Sequence, residues 1–127
     1  MQSGNDSAQK VDEKYLERDL KKDAGKLRLD LIPVDAMEEL SKVYAFGAQK
    51  YAEHSWEAGM RLSRVYAALL RHLFAWWRGE DYDKESGLHH LAHVTWNAVA
   101  LLTYTKRGIR GIDDRVHLVK EEEWNPK

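Results

Sequence analysis

Residues 79–93 read GEDYDKESGLHHLAH. Carboxylates alternate at Asp81, Asp83 and Glu85, and histidines follow at His89, His90 and His93. Carboxylate oxygens are hard ligands for divalent cations. Imidazole takes up and releases protons close to neutral pH. Such a segment can hold a metal ion, relay protons, or do both. Acidic loops also precede helices for a simpler reason, the favourable interaction of negative charge with the helix N-terminal dipole.

The D-x-D-x-E opening is that of a calcium loop, but the pattern stops there. Ser86 stands where such a loop needs glycine, and Ala92 where it needs a bidentate glutamate. His90, His93 and Asn97 are spaced i, i+3, i+7, so on a helix they share one side. A polar stripe of this kind either faces water or is buried with partners for each group. Elsewhere, Glu38 has Lys42 one turn on, a routine surface pairing. Glu39, Val43, Phe46 and Lys50 share a different side, where a carboxylate and a lysine flank an aromatic ring. Arg71 is able to grip a phosphate or carboxylate bidentately, or to make an ordinary surface ion pair. His72 lies between Leu69 and Trp76 on an apolar arc, where a lone histidine is commonly just hydrogen-bonded in a core. The stretch GKLRLDLIP (25–33) carries Lys26 and Arg28. It reads as a phosphate-gripping arm or as an edge segment with two solvated bases, and the chain contains no P-loop motif.

Three helices must position these groups. The first is expected to start near Asp35, behind Pro33, with Asp35 and Glu38 at capping-box spacing. Its apolar positions are Met37, Leu40, Tyr44, Ala48 and Tyr51. A loop, AEHSWEAGM, follows. The second helix runs from about Arg61 to Arg78, with a stripe of Leu62, Val65, Leu69, Leu73 and Trp76, and Gly79 ends it. The third starts near 86–89 and runs to Arg107, stopped by Gly108, with Leu91, Val94, Ala98, Leu101 and Leu102 on its expected buried side. It is apolar nearly all round from Val94 to Leu102, which places it mid-bundle or at a subunit contact. A short strand is expected at Val116–Val119.

Together these elements predict an all-α fold, a small bundle of three long helices plus an N-terminal arm. Three helices alone give a thin core, so a fourth helix from the arm, or homo-oligomerisation, is expected to complete it. At 127 residues the chain suits one domain. We expect a flexible charged arm over 1–24, a helical domain over 25–108 and a tail over 109–127. The formal net charge of −1 gives no overall pull toward nucleic acid or an anionic membrane. With no cysteine, disulfides and thiolate metal sites are excluded, so a metal would need oxygen and imidazole ligands. The lack of a long apolar run and of a signal-peptide pattern points to the cytoplasm. Five Trp and six Tyr predict a core or cleft rich in flat rings.

The runs GKLRLDLIP, FGAQKYAEHSW and RHLFAWWRGEDYDKESGLHHLAHVTWNAVALL, in this order and spacing, resemble the phage dATP/dGTP diphosphohydrolase N-terminal family (MazZ-like) over about residues 25–105. That family is placed near the all-α MazG-type nucleoside triphosphate pyrophosphohydrolases. The resemblance implies a helical bundle, oligomerisation, and Mg²⁺- or Mn²⁺-dependent cleavage of a purine deoxynucleoside triphosphate to monophosphate and pyrophosphate. The family's motifs fall on Gly47, Lys50 and Tyr51, on Ser55 and Trp56, on Arg71 and His72, on Asp83, Glu85, Ser86 and Gly87, and on His90, His93 and Asn97. Ser55 replaces an expected Asn. The acidic MazG helices are altered as well. Lys42 takes the third acidic place after Glu38 and Glu39, and His90 and His93 stand where Glu and Asp would fall. Either a different ligand set does the work or catalysis is lost.

The leading expectation is therefore metal-assisted phosphoanhydride hydrolysis, since a triphosphate with about four negative charges needs divalent cations to screen it. Glu39, Asp83, Glu85 and His93 are the expected Mg²⁺ or Mn²⁺ ligands or their supports. His90 is the expected base, with Glu85 also catalytic. Lys26, Arg28, Lys50 and Arg71 would hold phosphates, Tyr51 and Trp56 would stack on the purine, and Asn97 would touch substrate. Host-cytoplasm phage nucleotide metabolism follows from the resemblance alone. Two rivals stand beside this reading. One is a helical module that binds a nucleotide or a protein without turnover. The other is a structural module whose His/Asp/Glu cluster is a seam between subunits.

Overall fold

Pro33 disfavours helical backbone in the residue before it, and Ile32 is extended. A helix, α1, begins directly behind the proline and spans Val34–Lys50 in the computed structural model. Asp35 thus lies inside the first turn, two residues too late to cap, and acts through the helix dipole instead. The structure describes residues 24–116 together with Glu13, Leu16 and Glu17. The chain divides into two compact units, Met1–Pro33 and Val34–Lys127. In the first, a 3-10 turn at Leu29–Leu31 follows Arg28, whose guanidinium pairs with Asp30 at 2.8 Å. Most of the expected N-terminal arm lies outside the described residues.

In the second unit α1 is followed by a 3-10 turn at Ser55–Ala58, helix α2 (Leu62–Trp77) and helix α3 (His90–Arg107). The fold is all-α. Among the described residues there is no strand, only an isolated antiparallel bridge between Tyr82 and His89. Val116 is not in a strand, and the rest of the segment expected to form one lies outside the described residues. Both helix stops fall where glycine allows a left-handed turn, at Gly79 (φ 104°) and Gly108 (φ 62°). No described helix is long and apolar enough to cross a membrane.

Helix α3 is central. It packs along α2 and, less extensively, against α1 and the 3-10 turn, while α1 and α2 make little contact with each other. The core at one end joins Leu62 and Val65 of α2 to Ala100 and Tyr104 of α3, with Trp56, Trp96, Leu101, Ile109 and Ile112 against them. The Tyr104 hydroxyl donates to the Trp56 carbonyl at 2.6 Å and ties the turn to α3. Beside this core the three helices leave a cavity, lined in part by Val65, Trp56 and Trp96.

Two faces differ in part from the hydrophobic pattern. On α1 the buried residue is Val43, while Leu40, Tyr44 and Ala48 of the expected stripe are half-buried and Met37 is exposed, as is Tyr51 just past the helix end. On α3 the buried residues are His90, Ala92, His93, Asn97, Ala100 and Tyr104. Ala98 and Leu102 of the expected buried stripe are exposed. The polar stripe is buried because each of its members finds a partner, as described below.

Gly59 supports the turn's exit. Its φ of 108° and ψ of 147° belong to a region open almost only to glycine, and an added Cβ would lie 3.1 Å from Ile109 Cγ2. Gly59→Ala is expected to lower unfolding free energy by about 1–3 kcal/mol, read from urea denaturation. An unchanged midpoint would show that this backbone is not strained.

Candidate functional site

The loop between α2 and α3 folds back on itself. Asp83 N–H donates to Leu88 O (2.8 Å), Gly87 N–H to Asp83 O (2.7 Å) and His90 N–H to Asp81 O (2.8 Å). Gly87, at φ 73°, makes the return possible. This turns Asp83 inward and leaves Glu85 at the edge. His89 caps α3, its Nδ1 accepting from Leu91 N–H at 3.0 Å, so this histidine serves the helix rather than the cavity.

His72 of α2 and His90 and His93 of α3 form a cluster. The His72 and His93 rings stack at 4.4 Å with 7° between their planes. His72 Nδ1 lies 2.9 Å from His90 Nδ1, and His90 Nε2 lies 3.1 Å from Glu80 Oε1. Asp83 Oδ2 accepts from both Ser86 N–H and Ser86 Oγ at 2.9 Å, and His93 Nε2 is 2.7 Å from the same Oγ. Since the hydroxyl proton goes to the carboxylate, His93 donates from Nε2 and keeps a lone pair on Nδ1. One ligand atom from each of His72, Asp83 and His90 lies within 4.8 Å of the others, a spacing able to hold a metal ion.

Burial pushes the His72 imidazole down to about 4, and the neighbouring His93 adds to this. Burial likewise lowers His93. Both rings are neutral near pH 7 and have lone pairs to offer. For Asp83 burial works upward, but the two hydrogen bonds from Ser86 and the neighbouring histidines outweigh it and hold the carboxyl below its ordinary range.

These groups open onto a cavity of about 830 Å³ between α1, α2 and α3, within the range of small-molecule sites. His72, Asp83, Glu85, His93, Asn97 and Lys50 line its polar part, and Tyr44, Trp56, Trp96 and Tyr51 its aromatic part. Trp56 packs edge-on against Tyr44 and Trp96 at 5.9 and 5.8 Å. Lys50 pairs with Glu85 and lies 5.4 Å from the Tyr51 ring centroid.

The structure thus brings Lys50, Tyr51, Trp56, Asp83, Glu85, His93 and Asn97 to one cavity. Asn97 is buried there, its amide donating to His93 O at 2.7 Å. His90 is buried and is not part of the lining. Both of its ring nitrogens are engaged, by His72 and Glu80, which leaves no free nitrogen to take a proton from water. Glu39 pairs with Lys42 at 2.6 Å away from the lining, and Arg71 is exposed outside it. Lys26 and Arg28 belong to the other unit. Sequence reasoning gave His72, Ser86 and Glu80 no chemical role. A histidine on an apolar arc must find a polar partner, and the stripe on α3 was its only good match in kind. Nothing local marks Glu80.

Among the described residues, three helices set a histidine–carboxylate cluster beside an aromatic-walled cavity. The model of the family described as dATP/dGTP diphosphohydrolase, N-terminal, matches residues 17–115, and the chain belongs to that family. It is similar to a dATP/dGTP diphosphohydrolase of Salmonella phage PMBT28, 40% identical over 75 residues. The match covers 59% of this chain and 26% of that protein, so this chain spans well under half of its relative's length. No solved structure gives a significant match.

Proposed function

We propose that this chain hydrolyses a purine deoxynucleoside triphosphate, dGTP or dATP, to the monophosphate and pyrophosphate, as part of phage nucleotide metabolism. The observation that carries the reading is the cavity, which sets an aromatic wall against a cluster of imidazoles and carboxylates. The relative's name adds the substrate class.

Trp56 and Tyr51 offer ring faces to a purine, whose stacking is insensitive to the exact base. The triphosphate then lies toward Lys50 and the α2–α3 loop. The charged lining is Lys50 and Arg64 against Glu53, Asp83 and Glu85, two cations and three carboxylates. A triphosphate of about four negative charges cannot enter such a lining unaccompanied. The donor set answers this, because Asp83, His72 and His90 are close enough to hold one divalent cation, and Glu85 and His93 stand beside them. When bound, Mg²⁺ or Mn²⁺ would neutralise phosphate oxygens and stabilise the leaving pyrophosphate.

The chain's own groups do the rest. Without substrate, Lys50 neutralises Glu85. A phosphate that draws Lys50 away frees the Glu85 carboxylate to accept a proton from the attacking water. The relay from His93 through Ser86 Oγ to Asp83 keeps that carboxylate fixed and ionised. Asn97 holds the α3 backbone at His93.

Incubation of the full chain with each dNTP and Mg²⁺ or Mn²⁺, followed by ion-exchange separation, tests the reading. dGMP or dAMP with pyrophosphate is expected. Binding of dGTP with no monophosphate under any condition would replace the hydrolase with a nucleotide-binding module. Lys50→Ala is expected to raise KM for dGTP about tenfold, the loss of one charge-assisted phosphate contact, with a smaller change in kcat. An unaltered KM would place the triphosphate elsewhere.

A further inference from the structure

We propose that His72, Asp83 and His90 form a site for a single transition-metal dication, selected over Mg²⁺, and that Glu80 is the residue that positions His90 for it. This rests on the hydrolytic reading for its purpose but not for its test, which needs no nucleotide.

The two histidines argue for a shared ion. Their Nδ1 atoms face each other at 2.9 Å. Two nitrogens each about 2.1 Å from an octahedral ion, at right angles, stand ~3.0 Å apart, whereas a tetrahedral ion spreads them to roughly 3.4 Å. The observed separation is close enough for one ion to touch both nitrogens. Without an ion, the same distance is an N–H···N bond, in which one ring gives a proton and the other a lone pair.

Glu80 decides which ring does which. A carboxylate accepts and does not donate, so His90 carries its proton on Nε2, toward Glu80 Oε1, and its lone pair on Nδ1, toward His72. This is the carboxylate–histidine–metal arrangement in which a second carboxylate fixes the tautomer of a ligand. His72 then needs only to carry its proton on Nε2 to present a second lone pair. Both tautomers are neutral, so the exchange changes no charge at the ring. Asp83 supplies the third ligand, its orientation fixed by the two Ser86 hydrogen bonds to Oδ2. His90 is 4% exposed and lies behind the lining, whereas His72 and Asp83 line the cavity, so an ion would sit at the cavity's inner end with open positions toward a ligand.

The donor chemistry sets the ion. Mg²⁺ prefers carboxylate and water oxygens and sheds its water reluctantly. Two imidazoles and one carboxylate favour a transition-metal dication that accepts nitrogen over Mg²⁺, and Mn²⁺ is the probe whose bonded nitrogens can be counted by EPR.

The test uses EDTA-treated full chain without nucleotide. Calorimetry with Mn²⁺ and with Mg²⁺ is expected to give one Mn²⁺ per chain, bound at least tenfold more tightly than Mg²⁺. Pulsed EPR of the Mn²⁺ complex is expected to show two directly bonded imidazole nitrogens. His72→Gln and His90→Gln should each remove one nitrogen and weaken binding tenfold or more. Glu80→Gln should keep both nitrogens and weaken binding by about 10–100-fold, and His54→Gln should change neither. Mg²⁺ binding as tightly as Mn²⁺, or no nitrogen coupling in the unsubstituted protein, overturns the proposal without depending on any variant's folding. A wild-type EPR spectrum with two nitrogens supports it even if no dNTP is hydrolysed. Turnover without nitrogen coupling overturns it while leaving the hydrolase standing.

Discussion

Asp83→Asn is expected to lower kcat for dGTP by about 10²–10³-fold while leaving the fold intact. Asparagine has the same shape and keeps a carbonyl oxygen for Ser86, so both loop-closing hydrogen bonds survive. What disappears is one negative charge, in a place where it faces His72 and His93 and where a cation would be held. The carboxyl sits below its ordinary range because Ser86 and the histidines overcome the effect of burial, so the native group is ionised throughout the neutral range. Unfolding stability should shift by no more than about 1 kcal/mol, since the loop keeps its hydrogen bonds. Turnover is measured by release of monophosphate, and stability by urea denaturation followed by far-UV circular dichroism. A fully active Asp83→Asn protein would remove this carboxylate from the chemistry.

A second large effect concerns acid. His72 is depressed from 6.5 to about 4 in the folded chain, so the unfolded chain binds its proton first as pH falls. The stability contributed by the neutral ring is fully present above about pH 6.5 and is lost progressively between 6.5 and about 4. His93, lowered by burial, acts in the same direction. Asp83 acts in a separate window, since its contribution is present above its unfolded value of 3.8 and is lost only as pH falls below that. A displacement from 6.5 to about 4 is equivalent to roughly 3 kcal/mol. Water in the cavity screens part of this, and we expect a loss of about 1–2 kcal/mol between pH 7 and pH 4.5. The measurement compares urea midpoints at the two pH values for the native chain and for His72→Gln, which cannot titrate there. The substituted chain should lose distinctly less. Equal losses would place the acid sensitivity elsewhere.

Helix positions were legible in the amino-acid order because their causes are local. Pro33, Gly79 and Gly108 act within a turn of where they stand, and α1, α2 and α3 fall within a few residues of their expected bounds. The all-α class follows from the same signals. The loop at 81–85, with Lys50, Trp56 and His93, was recognisable by residue type, and folding brings these groups to one cavity.

Which face of α3 is buried could not be read from the chain. Hydrophobic periodicity ranks side chains by their own affinity for water, and by that measure Leu102 should be inside and His90 outside. The order reverses because burial of a polar group costs little once another element supplies a partner. Glu80 and His72 do so for His90, and Ser86 does so for His93. The same dependence on distant partners separates groups that looked alike in sequence. Glu39 is matched by its own helix through Lys42, while Asp83 is turned inward by a loop that closes around Gly87. Residue types and their local spacing say which chemistry a chain can carry. Pairing across helices, which depends on how the backbone closes on itself, selects the members that meet.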